Sequence, residues 1–218
     1  MAISKVGLTT AVTGTLPIAN GGTAVTTSAA LANTGNLVLI KTVVANNDAT
    51  VEFINGSSDV VFDNTFDIYE IFYTNVHPAT NDVEFGFKAT SNGTDFGIAT
   101  TATFSFDFVD EANSSTSTFQ YSTSYDSAQS TGLVNVAHSI GNGNDECAAG
   151  RLIIYSPAST TFVKHFNFFT TGYHASDLVE NYVGGGYINT TSAITGLQFS
   201  FSSGNIDAGT FKLIGHRT

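Results

Sequence analysis

The chain has 218 residues, of which 42% are hydrophobic and only 11% charged, and its net charge is −11. Its few cations, Lys5, Lys41, Lys88, Arg151, Lys164, Lys212 and Arg217, are scattered, whereas a phosphate backbone or an anionic membrane surface is held by a basic patch, so both are disfavoured as partners. Cys147 is the only cysteine, which rules out an intramolecular disulfide, and no run approaches the ~20 apolar residues of a spanning helix.

In chain order, the first element is an arm. Residues 1–36 hold no Phe, Tyr, Asp or Glu, and MAISKVGLTTAVTG lacks the continuous apolar run of a secretion signal. Within GTLPIANGGT (14–23), Leu16 and Ile18 are the only large apolar side chains. Pro17 removes a backbone donor, and Asn20-Gly21-Gly22 is turn chemistry. A short helical turn fits Ser28 to Asn33, capped by Ser28 and stopped by Gly35. Such a segment buries too little to offset its ordering entropy. It reads as an extended arm that adds to a sheet edge or lies in a groove of a neighbouring chain. Leu16, Pro17, Ile18, Asn20, Gly21 and Gly22 are its expected partner-binding residues.

From Leu37 onward apolar runs recur: 37–44, 51–54, 66–76, 83–89, 102–109, 133–140, 151–156, 162–170, 196–203 and 209–215. Several alternate with period two. Phe104, Phe106 and Phe108 share one face and are expected in the core. Phe162, Phe166 and Phe168 share a face with Lys164. Ala175 to Asn181 suggests one or two helical turns. The polar stretch 111–132 is long for a loop, which marks it as functional or packed by a neighbour. About ten short strands at this spacing predict an all-β domain over 37–218, an antiparallel β-sandwich of jelly-roll-like topology, with a barrel as the alternative.

Motifs for chemistry are sparse. G-x-S-x-G, Walker A, G-x-G-x-x-G and H-E-x-x-H are absent. Asp145 and Glu146 beside Cys147 raise its pKa and dull it as a nucleophile. His77, His138, His165, His174 and His216 show no metal-ligand spacing in sequence, although a hairpin would bring His165 and His174 close. No catalytic, cofactor or metal residue is therefore assigned. Asp107, Asp110 and Glu111, and the GNGNDE loop with Asp145 and Glu146, read as solvated turns rather than as a glycosidase pair or a Ca²⁺ loop. Phe119, Tyr121, Tyr125, Tyr173, Tyr182 and Tyr187 lie in polar or Gly-rich stretches and are candidates for surface or glycan contact.

Three stretches carry a resemblance. GTLPIANGGT resembles the LP-[IV]-ANGGTG signature near the start of many tailed-bacteriophage fibre and virion structural proteins, with Ala24 in place of the usual final Gly. FSFSSGNIDAGTFKLIGHR (199–217) is similar to the closing SGN-[IF]-x-x-GT-[IF]-x-LYG pattern of that group, with Ile214 where Tyr is usual. FDIYEIFYTNVHPATND (66–82) resembles the first large strands of small marine and cyanobacterial phage proteins. The resemblance implies a non-enzymatic virion surface protein: a head decoration, a head fibre or a small tail fibre. It implies assembly in the host cytoplasm, other virion proteins as partners, a homo-oligomer of trimeric form and no cofactor. A host-attachment adhesin that binds surface glycan is the alternative, and a polysaccharide-cleaving enzyme the third reading.

Overall fold

The computed structural model describes residues 36–217. These form β1 (Leu37–Asp48), β2 (Val51–Ile54), β3 (Ile68–Pro78), β4 (Val83–Thr90) and β5 (Thr100–Asp110). Two short strands follow, β6 (Gln120–Tyr121) and β7 (Ser127–Ser130). Then come β8 (Val134–Ile140), β9 (Ala148–Tyr155), β10 (Lys164–His174), β11 (Leu178–Ile188), β12 (Gly196–Phe201) and β13 (Ile206–His216). Every strand pairing is antiparallel, and no helix occurs among the described residues.

Strand order gives the topology. One sheet carries β1-β13-β3-β9 side by side, and the other β2-β12-β4-β8. These are the two four-stranded sheets of a jelly roll. The β10–β11 hairpin and β5 widen the first sheet, and β6 and β7 pair along the outer edge of β5. The two rows join through the single pair His174↔Ile140, so the whole sheet bends almost into a barrel.

Between the sheets lies an aromatic core. Tyr73 on β3 meets Phe85 on β4 at 5.3 Å, Phe87 on β4 meets Phe166 on β10 at 5.1 Å, and Phe199 on β12 meets Phe211 on β13 at 5.5 Å. Rings at these separations contribute roughly 0.5–1.5 kcal/mol each beyond their area burial. The closing strand follows its period of two: Phe211, Leu213 and Gly215 face inward while Lys212 is exposed. The Ser203–Asn205 turn before it places Gly204 at φ 74°, where a Cβ would strike the Thr80 side chain. Asn205 Nδ2 donates to Asn47 O at 3.0 Å and ties this turn to the end of β1.

Several expectations change. Residues 175–177 are a turn, and from Leu178 the chain is strand, not helix. Phe104 is buried but Phe106 and Phe108 are only half-buried. Phe162 is exposed while Lys164, Phe166 and Phe168 are buried, so the inward face begins at Lys164. The Lys164 ammonium donates to Phe162 O and Thr190 O, at 3.0 and 3.1 Å. The stretch 111–132 is not a free loop, since β6, β7 and a Val109–Thr116 bridge dock it on β5. The helical turn at Ser28 to Asn33 lies outside the described residues.

Candidate functional site

The arm residues Leu16, Pro17, Ile18, Asn20, Gly21 and Gly22 lie outside the described residues. The described chain opens on β1, an edge strand that pairs only with β13. Leu37, Leu39 and Val44 on it stay 59%, 57% and 66% exposed. The ladder bulges between Leu39 and Lys41. Val38, Leu39, Ile40, Val61, Phe66 and Arg217 line a shallow cleft beside the start of the strand. An edge presents a row of unpaired backbone groups, which proteins blunt with charge and bulges; this one has the bulge and Lys41 but also exposes Leu37, Leu39 and Val44.

The six aromatic contact candidates do not form one surface. Phe119 and Tyr121 are exposed on the β5–β7 excursion, and the Tyr121 hydroxyl donates to Asp126. Tyr173 donates to Glu111 Oε1 at 2.8 Å, and that bond pushes its phenol up to about 12. Tyr187 is partly buried, with its ring 6.3 Å from His165. Tyr182 is a correction: it is fully buried and presents nothing to a ligand at the surface. It lies on the core face of β11 with Glu180, an alternation that the Gly184-Gly185-Gly186 run hides in the sequence. Tyr125 also turns inward.

Tyr125 and Tyr182 meet at His138. Between Val83↔Ile140 and Phe85↔Ala137 the β4–β8 ladder gains a residue on β8, and Ser139 takes φ 51°. Such bulges re-aim side chains. His138 lies there, 5% exposed. The Tyr125 ring stacks on it at 4.2 Å and 8°, Phe106 meets it edge-on at 4.9 Å, and Tyr182 lies at 5.2 Å. The Tyr182 hydroxyl donates to His138 O at 2.8 Å.

Two further polar groups converge on this ring. His174, the last residue of β10, pairs with Ile140 and stands edge-on to His138 at 5.9 Å. Glu180 on β11 is 3% exposed, and its Oε2 lies 3.3 Å from His138 Nε2. Neither atom has a hydrogen bond of good geometry, and His138 Nδ1 has none either. Burial pulls His138 down to about 4 and pushes Glu180 up to about 7. His174 is also lowered by burial, and its Nδ1 accepts the Ser176 N–H at 3.0 Å. One ligand atom from each of His138, His174 and Glu180 falls within 4.8 Å of the others. The sequence hid this cluster because its members lie on separate strands, 36 and 42 positions apart from His138 at 174 and 180.

The acidic clusters are engaged locally. Asp107 accepts from Asn181, Asp110 from Ser114, and Glu111 from Tyr173. In GNGNDE, Glu146 folds back to accept the Gly143 N–H. Burial, and then Asp145, raise the Cys147 thiol. His77, 3.5 Å from Asp207, shares a polar cleft with Asp145 and Cys147. Comparison with protein-family models, curated proteins and solved structures finds no significant match to this chain.

Proposed function

We propose that this chain is a non-enzymatic structural protein on the surface of a tailed-phage virion, a head decoration, head fibre or small tail fibre. Its arm, residues 1–36, binds another virion protein, and its jelly roll projects outward. The observation that carries the reading is the row of exposed apolar residues, Leu37, Leu39 and Val44, along β1, the edge strand that follows the arm. An edge of that character suits pairing with a neighbouring chain better than isolation in water. The phage-like wording of 14–23 and 199–217 supplies the particle, and the same resemblance supplies a trimer.

Deletion of residues 1–36 tests the arm. The truncated chain is expected to stay folded, with a thermal midpoint close to that of the full chain, and to lose particle attachment. Full occupancy by the truncated chain would refute the arm's role. A second reading, a glycan-binding host-attachment domain, is favoured by one observation: Phe119 and Tyr121 stand exposed two residues apart, 61% and 59% open. Selective glycan-array binding that Tyr121→Ala abolishes would establish it; a blank array would remove it.

A further inference from the structure

We propose that His138, His174 and Glu180 form a binding site for a zinc-type divalent transition metal that clamps the two sheets of the jelly roll together. This goes beyond the virion reading and does not depend on it. Two imidazoles and a carboxylate are a donor set that suits such ions. They come from both sheets: His138 from β8, His174 and Glu180 from the β10–β11 hairpin. Only one backbone pair, His174↔Ile140, joins β8 to β10 at this corner. A metal bond there would reinforce the thinnest connection in the pairing.

Geometry supports the assignment. A tetrahedral ion with bonds of about 2.0–2.1 Å separates its ligand atoms by roughly 3.3 Å. His138 Nε2 and Glu180 Oε2 stand 3.3 Å apart. Both are buried and without a hydrogen-bond partner, and a buried polar atom left unpaired is costly. The competing solution is a proton shared between His138 and Glu180. It would satisfy the same two atoms and would leave His174 with no part to play. A cation uses all three residues. Its fourth position would fall to water, as in zinc sites with three protein ligands.

His174 gives the proposal a signature. Its Nδ1 lone pair accepts the Ser176 N–H. If Nδ1 binds the ion, that lone pair is taken. If Nε2 binds it, the ring proton moves to Nδ1 and the lone pair is again lost. On either route the Ser176 amide loses its acceptor when metal enters.

The test uses the full chain, stripped with a chelator and titrated with Co²⁺ and then Zn²⁺. The expected result is one ion per chain, a four-coordinate Co²⁺ absorption spectrum that Zn²⁺ abolishes, a raised melting temperature and a shifted Ser176 amide resonance. His174→Ala and the near-isosteric Glu180→Gln should each weaken binding more than about tenfold. His165→Ala, on an exposed position of the same strand, should leave it unchanged. A wild-type melting temperature independent of Zn²⁺, with no Co²⁺ spectrum, would overturn the proposal without any variant. Undiminished binding by His174→Ala would overturn it too, assigning the pair to a shared proton and the ion to another place.

Discussion

Three phenylalanines spaced by two along β5 should lose very different amounts of stability when truncated. Phe104 is 1% exposed, with the rings of Tyr125, Tyr182, His138 and Phe168 between 5.4 and 5.9 Å away. Phe104→Ala removes a fully buried ring and leaves a walled cavity, at about 3–5 kcal/mol. Phe106 is half-buried and keeps its His138 contact at 4.9 Å. Half of a ~3 kcal/mol transfer term plus a modest ring term gives about 2 kcal/mol. Phe108 is half-buried with no ring contact among the described residues, which leaves about 1–1.5 kcal/mol. Urea unfolding in the presence of chelator, with m unchanged across the series, reads these values. In a domain of this size each kcal/mol moves Tm by roughly 2–4 °C, so Phe104→Ala should fall by about 6–20 °C and Phe108→Ala by about 2–6 °C. Equal costs at Phe104 and Phe108 would refute the difference in burial along β5. A Phe104→Ala cost below about 1 kcal/mol would refute the packing of β5 against β8.

Other outcomes follow from single contacts. Tyr73 and Thr170, both buried, share a hydroxyl hydrogen bond of 2.6 Å; Tyr73→Phe and Thr170→Val should each cost about 1–3 kcal/mol while the double variant costs less than their sum, and strict additivity would contradict the bond. Gly204→Ala should destabilise by more than about 1 kcal/mol, from its left-handed φ and the Thr80 clash, and a neutral effect in urea unfolding would contradict that turn. Cys147, whose thiol burial raises, should react with a disulfide reagent at pH 7 more slowly than free cysteine; an equal or faster rate would contradict the burial.

The strands were legible where period-two patterning and turn chemistry agree. The VEFI run (51–54) is β2, and the run at 209–215 falls within β13, whose alternation turns Phe211 and Leu213 inward. The failures have physical causes. In β11, three successive glycines mask an alternation that places Glu180 and Tyr182 in the core. Gly184 carries no Cβ because Thr103 O and the Phe168 ring occupy that space, a tertiary fact invisible locally. The partial exposure of Phe106 and Phe108 likewise follows from tertiary packing, not from the alternation of β5. The candidate metal cluster was illegible for the same reason: strand order, not spacing, brings His138 to His174 and Glu180. The jelly-roll order itself emerges only from pairings such as β1 with β13, across nearly the whole described chain.

Whether this chain is a virion surface protein is decided by locating it on particles. Fab fragments raised against the β domain, applied to purified particles of the phage that this reading assigns as the source of the chain, would be imaged by electron microscopy. The virion-surface reading predicts regular decoration at symmetry-related positions on head or tail, lost when residues 1–36 are deleted from the gene. Unlabelled particles beside abundant free antigen in the same lysate would contradict it.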